Sequence, residues 1–470
     1  MTSDKPKEEC GIFGLYNKDD IDTAKIMYYG LYSLQHRGQE SCGIVSSEGY
    51  EIHSHKGLGL TNEVFDELTL SPLGGGMAVG HVRYSTTGGN TIENAQPLVT
   101  KYSKGTLTIA HNGNISNAAK LRSQLEKDGA IFQTTNDTEI IAFLIARARQ
   151  HTPSVEQAVS EVIKKLEGAF SLLVMSPRKL IAVRDPYGIR PLCIGKIKNS
   201  YLFSSESCAL DAVGAAYLRD VEPGEIVIAT GDDALQSRKE HCGKRPALCI
   251  FEHIYFARPD SVIDHQSVYE ARIEAGRALA RESKVEADLV IGVPDSGIIA
   301  ALGYARESKI PFGEGLVKNR FVGRTFIQPA QNQRQESVHI KLNVLASNVV
   351  GKRIVMIDDS IVRGTTITNI VKMLRKAGAR EVHVRISSPP FLWPCFFGTD
   401  ISNREQLAAN QFSMEELRSR IQADSLAFLK IESLKGIAKH SKVTFCDACF
   451  TGNYPFPVPI HADKSAFEDK

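Results

Sequence analysis

VMIDDSIVRGTT, Val355 to Thr366, decides how this chain reads. The apolar run from Ile354 to Ile357 has the character of a buried strand, and it runs straight into two acids, Asp358 and Asp359. A loop with Gly364 follows, then hydroxyls at Thr365 and Thr366, then a helix-like run. Acids where a strand ends can hold ribose hydroxyls or a metal, and backbone N–H groups where the next helix begins can hold a phosphate. A site with both suits a phosphorylated sugar. The same order of residues also occurs as a solvated turn with an N-cap, so the surrounding sequence has to carry the choice.

That context is an α/β rhythm. A helical pattern from Ser267 to Glu282 precedes a strand in ADLVIGVPDS (Ala287 to Ser296), and a second helix covers Gly297 to Glu307. Strand RIVMIDDS, helix Thr365 to Lys376, a stop at Gly378 and strand EVHVRISSPP follow. From strand to strand this unit spans about 30 residues, the length of a parallel βαβ crossover. Ser413 and Glu416 form an S-x-x-E box that opens a late helix. The Val355–Thr366 run resembles the signature of the type I phosphoribosyltransferases, which bind phosphoribosyl pyrophosphate (PRPP). The resemblance implies that Asp358 and Asp359 face the ribose hydroxyls and Mg²⁺, and that Ser360, Arg363, Gly364, Thr365 and Thr366 wrap the 5′-phosphate. It places GVPDS on the pyrophosphate side, with Ser296 as a further metal-side group. The cations of KNRFVGRTFIQP (Lys318 to Pro329), with Lys341 further on, suit a pyrophosphate lid, although a solvated basic loop has the same composition.

The first half is built differently. Short apolar runs broken by glycine turns (GGGMAVGHVRYSTTGG, TLTIAHNGNIS, GAFSLLVMS, GEIVIAT) read as many short strands, with helical patterns near Ile21–Leu34 and Asp137–Arg149. Antiparallel sheets with helices on their outer faces fit this pattern. The polar stretch from Gly231 to Pro246 is the natural join, giving segments 10–240 and 241–470. Cys10 follows a polar leader, residues 1–9, and precedes GIFG. If the leader were removed, the α-amino group of Cys10 would lie beside its own sulfur. Such an amine has a pKa of about 7.7–8.0 and can take the thiol proton without a histidine. A buried, inert cysteine is the alternative.

ECGIFG, LQHRGQES (Leu34 to Ser41), GHVRYSTTG (Gly80 to Gly88), AHNGNISN (Ala110 to Asn117) and NDTE (Asn136 to Glu139) follow one another in order. Together they resemble the class II glutamine amidotransferases, the N-terminal-nucleophile glutaminases. The resemblance implies that Cys10 attacks the glutamine amide and that Arg83 clamps the substrate α-carboxylate, a task suited to a guanidinium fork. It implies that Asp137 takes the α-ammonium, that Asn112 and the N–H of Gly113 form the oxyanion hole, and that Tyr84 and Arg37 line or gate the site. Taken singly, HNGN is an ordinary tight turn and Asp137 an N-cap; the ordered set is what favours the glutaminase.

The bulk numbers agree. At 470 residues the chain exceeds one ordinary core. A net charge of +2 without a basic block argues against a nucleic-acid partner, and no apolar run reaches the length of a membrane helix. Nine cysteines scattered along the chain are no disulfide scaffold and suit a reducing cytoplasm. CDAC (Cys446 to Cys449) with Cys249 and Cys395 could ligate zinc, a redox pair or an iron–sulfur cube by count alone. Cys42, Cys193, Cys208 and Cys242 read as packing residues.

The whole chain resembles the glutamine PRPP amidotransferase family, in the subgroup with a cleaved leader and a [4Fe–4S] cluster. That implies glutamine and PRPP as substrates, Mg²⁺, purine nucleotide inhibitors, an ammonia passage, a homotetramer, and Cys249, Cys395, Cys446 and Cys449 as cluster ligands. The expected fold is an α+β glutaminase of stacked antiparallel sheets followed by an α/β phosphoribosyltransferase domain with a mainly parallel sheet. Other class II enzymes, such as glucosamine-phosphate or asparagine synthetases, would share the first half and lack the DDSIVRGTT loop. A PRPP-sensing regulator would lack the glutaminase set.

Overall fold

The computed structural model describes residues 9–85, 88–231, 234–319, 342–399, 401, 404–458 and 467. In the first half, alternating apolar positions build two stacked antiparallel sheets. One has seven strands, in the order Ala216–Asp220, Cys193–Ile197, Ser200–Ser204, Gly11–Tyr16, Met77–Arg83, Ser41–Glu48, Glu51–Leu58. The other has six, in the order Gln236–Arg238, Ile226–Thr230, Lys179–Arg184, Gly168–Ser176, Gly105–Ile115, Leu98–Tyr102. Ile12, Val79, Ala110, Leu173, Ala182 and Phe203 pack between the sheets. Helices Ala118–Lys127, Asp137–Ala148 and Val155–Ile163 cover the outside of the six-stranded sheet, and Thr23–Ser33 and Ser207–Ala212 cover the other. The expected α+β glutaminase architecture is therefore present.

The second half centres on a four-stranded, wholly parallel sheet: Leu289–Gly292, Arg353–Asp358, Glu381–Ile386 and Ser425–Phe428. The period of two along the acid-bearing strand divides its side chains between two cores. Ile354 and Met356 pack toward helix Thr365–Lys376, whereas Val355 and Ile357 pack toward helices Val268–Glu282 and Gly297–Ser308. The strand therefore delivers Asp358 and Asp359 buried, at its C-terminal end, where ligands of parallel sheets collect. A short parallel pair, Leu248–Cys249 with Phe445–Cys446, ties the chain near its end to the entrance of this half. Among the described residues, no helix is long and apolar enough to cross a membrane.

Candidate active sites

Cys10 immediately precedes the strand Gly11–Tyr16 in the seven-stranded sheet, and Gly11 pairs with Val82 of the strand that ends at Arg83. That register brings Tyr84 to the thiol. Cys10 Sγ donates to the Tyr84 carbonyl (3.2 Å) and accepts from the Tyr84 N–H (3.4 Å). Burial pushes the thiol up to about 12, against the Tyr84 hydrogen bond and the Arg83 charge. With Glu9 still joined to it, Cys10 is thus a protonated, weakly nucleophilic thiol.

Arg83 is buried, its Nη1 donating to the Gly89 carbonyl (3.0 Å) and its Nη2 to the Gly88 carbonyl (3.1 Å). Asp137 opens the helix capped by Asn136. Its Oδ2 accepts from the Ile115 N–H (3.0 Å), and its Oδ1 lies 3.4 Å from His111 Nδ1. Burial opposes its charge, but His111 and the Ile115 N–H outweigh burial and hold the carboxyl below the usual range. Asn112 lies on the strand Gly105–Ile115, buried, and among the described residues neither its amide oxygen nor its amide nitrogen has a hydrogen-bond partner. A buried amide without partners is costly and marks a seat for a polar ligand atom. At Gly113, φ is +143° and a Cβ would lie 2.0 Å from the Ala169 carbonyl, so only glycine can follow Asn112 there.

Arg37 is placed differently from a gate. Its Nε donates to the Cys10 carbonyl (3.0 Å), Nη1 to Glu206 (2.6 Å) and to Glu252 (2.9 Å), and Nη2 to Glu252 (2.8 Å). Fully buried and committed to two carboxylates, it is a strut between the nucleophile and the second half of the chain. A second buried arginine, Arg190, pairs with Glu9 (2.7 Å) and Glu252 (3.4 Å) and donates to the Phe397 carbonyl. Sequence reasoning missed Glu206, Glu252 and Arg190, because Arg37 and Glu252 are 215 residues apart and no local pattern joins them. It also passed over His111, although that residue stands inside the AHNGN motif.

In the parallel-sheet half, Asp359 Oδ1 accepts from the Ser296 hydroxyl and Oδ2 from the Ser360 hydroxyl (2.5 Å), which joins the GVPDS loop to the acid loop. Asp358 Oδ1 accepts from the Asp359 N–H (3.0 Å). Gly364, at φ +88°, is the N-cap of helix Thr365–Lys376 and has no side chain to cap it. A helix N-terminus beside a strand-end acid pair is the arrangement that suits a sugar phosphate. Arg363 donates to Gln406 (2.7 Å), and Lys318 reaches Asp295 of the GVPDS loop (2.5 Å). Lys341 and residues 320–329 of the basic segment lie outside the described residues, as do residues 1–8 of the leader.

Cys249, Cys395, Cys446 and Cys449 line one largely apolar cavity together with Phe251, Phe391 and Tyr454. Cys249 and Cys446 face each other across the short parallel pair, and Cys449 lies on the helical turn that follows. None of the four forms a disulfide. Burial, and repulsion from the other thiols, raise Cys249, Cys446 and Cys449 above the ordinary range. Among the described residues, no group of three or more His, Cys, Asp or Glu side chains is spaced to hold a metal ion. Cys42, Cys193 and Cys208 are buried and Cys242 is half-buried.

Comparison with known proteins places both halves. A glutamine amidotransferase domain matches residues 81–212, and a phosphoribosyl transferase domain matches residues 265–387. The amidophosphoribosyltransferase of Bacillus subtilis (strain 168) is 50% identical over 456 residues, covering 96% of this chain and 95% of that protein. That of Archaeoglobus fulgidus is 48% identical over 452 residues, covering 96% and 98%. A solved structure of the allosteric regulatory enzyme of purine biosynthesis superposes with a TM-score of 0.89 at 48% identity, covering 96% of this chain and 97% of that one. The B. subtilis glutamine PRPP amidotransferase complexed with ADP and GMP superposes at 0.88 with 49% identity, covering 97% and 98%.

Proposed function

Because the chain belongs to the amidophosphoribosyltransferase family, we propose that the two centres described above divide its reaction between them. The reaction takes glutamine, PRPP and water to 5-phosphoribosylamine, glutamate and pyrophosphate, the first step of de novo purine biosynthesis. In our reading, Arg83 and Asp137 bind the two charged ends of glutamine. Once the leader is removed, the Cys10 α-amine takes the thiol proton and the sulfur attacks the side-chain amide. Asn112 and the Gly113 N–H stabilise the oxyanion; the partnerless, buried Asn112 amide supports this. Ammonia leaves, and water then hydrolyses the thioester to glutamate.

The acceptor lies in the second half. Ser360, Arg363, Gly364, Thr365 and Thr366, at the start of helix Thr365–Lys376, hold the 5′-phosphate, while Lys318 and Lys341 serve the pyrophosphate. Asp358 and Asp359, with Ser296 beside them, are the groups that would hold Mg²⁺. Two buried acids at a strand end fit an ion that takes one or two carboxylates plus substrate oxygens. When bound, the ion supplies positive charge to the departing pyrophosphate. The cavity thiols suit a [4Fe–4S] cluster: four soft ligands line one apolar chamber, the donor set such a cluster takes. The cluster would be structural, cross-linking Cys249, Cys395, Cys446 and Cys449.

We extend to this chain a cytoplasmic location, a homotetramer, residues 1–9 as a propeptide, an ammonia passage between the centres and feedback inhibition by purine nucleotides; the ADP and GMP of the B. subtilis complex support the last. The observation that carries the reading is the buried bridge from the nucleophile to the second half of the chain, in which Arg37 grips the Cys10 carbonyl and Glu252 at once. The test is glutamate release by matured protein with and without PRPP and Mg²⁺. Release should rise severalfold with PRPP and be matched by pyrophosphate; release indifferent to PRPP, or without pyrophosphate, would overturn it.

A further inference from the structure

Glutamine is recognised at two ends by groups from different parts of the chain. Arg83 ends a strand and Asp137 starts a helix. Something must fix the distance between them, and one buried side chain touches the supports of both. Asn94 lies on the turn Ile92–Asn94 and is 3% exposed. Its Nδ2 donates to the Gly89 carbonyl (3.0 Å), the same oxygen that accepts from Arg83 Nη1 (3.0 Å). The second Nδ2 hydrogen goes to Thr135 Oγ1 (2.8 Å), and Oδ1 accepts from the Thr135 N–H (3.0 Å). The Asn94 carbonyl accepts from Asn136 Nδ2 (3.2 Å). Asn136 is the cap from which the Asp137 helix starts, its Oδ1 taking the Thr138 N–H (2.9 Å).

We propose that Asn94 is a positioning residue for glutamine recognition, one that sets the separation between the α-carboxylate clamp and the α-ammonium acceptor and thereby selects a zwitterionic amide. The inference rests on the reading of Arg83 and Asp137 as the glutamine-binding pair. Its chemistry is specific to an amide, since two donors and one acceptor are needed at one place. An aspartate there would keep the acceptor for the Thr135 N–H and turn a lone pair on the Gly89 carbonyl. That carbonyl would shift, and Arg83 with it. Asp137 is held independently by the Ile115 N–H and His111, so the two ends would lose their common frame.

The test uses matured holoenzyme and compares Asn94→Asp, Thr135→Val and Thr135→Ser with wild type. For Asn94→Asp the KM for glutamine should rise ~tenfold, the effect of losing about one hydrogen bond to the frame, while kcat changes less than about threefold. Preference for glutamine over its analogue without the α-amino group should fall ~fivefold, because the ammonium would no longer meet Asp137 in register. Thr135→Val should follow in the same direction, and Thr135→Ser, which keeps the hydroxyl, should stay near wild type. The proposal is overturned if KM and preference stay put in both Asn94→Asp and Thr135→Val. It is equally overturned if ammonia-fed synthesis falls in parallel with glutamine-fed synthesis, the sign of a general loss of fold. Arg83→Lys and Asp137→Asn separate the layers. If these raise KM while Asn94→Asp does not, only the positioning role falls. If they leave KM unchanged, the glutamine-binding reading falls with it.

Discussion

Cys10 is held between the N–H and the carbonyl of one residue, Tyr84, with its thiol pushed up to about 12 by burial. A sulfur so placed reacts slowly until a base appears beside it. Alkylation of Cys10 by iodoacetamide at pH 7.5 should therefore be at least ~tenfold faster once residues 1–9 are removed, because rate follows the thiolate fraction. Mass spectrometry of the Cys10 peptide from both forms checks this; equal rates would deny the amine its role. At Asn112 both amide atoms are without partners among the described residues, so Asn112→Ala should cost stability little and reaction much. Glutamine-fed turnover should fall by roughly 10²–10³, the usual cost of one oxyanion donor, with the melting temperature within a few degrees of wild type.

Among the elements, the segment Glu252–Phe256 joins the halves, since Glu252 meets Arg37 and Arg190 out of water. Replacing it with alanine leaves two guanidinium groups short of a counter-charge in the interior. Glu252→Ala should destabilise the chain by about 3–5 kcal/mol, read from the denaturant midpoint. Glu206 adds a pH signature. Burial opposes its charge, but His36 and Arg37 outweigh burial and hold the carboxyl far below the usual range. Its folded-state value is lower than the ~4.3 of an unfolded glutamate, so its stabilisation is complete above about pH 4.3 and drains away as pH falls further. The melting temperature of Glu206→Gln should fall less steeply than wild type on acidification; an unchanged slope would exclude the ion pair as the source. The elements that could be read beforehand are those with local signals. Helix Thr365–Lys376 was legible from the run between Gly364 and the stop at Gly378, Asp137–Ala148 from its helical pattern although Asn136 and not Asp137 is its cap, and Met414–Arg420 from the Ser413–Glu416 capping box. Strand Glu51–Leu58 escaped because it is a polar edge strand without alternation, and Ser425–Phe428 because four residues carry no period. The catalytic motifs were legible because they are contiguous; Arg190, Glu206, Glu252 and Asn94 were not, because their partners are set by tertiary folding.

At the scale of the molecule, the thiol cavity lies at the junction of everything else. Asn114, two residues beyond the proposed oxyanion donor, donates to the Phe396 carbonyl beside Cys395 (2.9 Å), and Thr399 donates to Glu9 (3.0 Å). Trp393 lies two residues from Cys395, its ring under the Arg404 guanidinium at 3.9 Å and its backbone N–H donating to the Cys449 carbonyl (3.1 Å). As the only tryptophan it reports on the chamber, and its emission should be quenched in brown holoenzyme and recover after chelation; equal emission would remove the cluster from its neighbourhood. The pairing of Leu248–Cys249 with Phe445–Cys446 has a further consequence in time. A ribosome makes the second partner nearly 200 residues after the first, and closing so long a loop costs entropy that only the finished chain can repay. Until Phe445 emerges, Leu248 and Cys249 lack the strand that the end of the chain adds beside them, and their segment rests on the Tyr187 and Ile189 carbonyls alone. The chamber lined by Cys446 and Cys449 is thus among the last parts to close. A messenger cut short before codon 445 would yield a chain that carries both sets of motifs in full and lacks one wall of the thiol chamber.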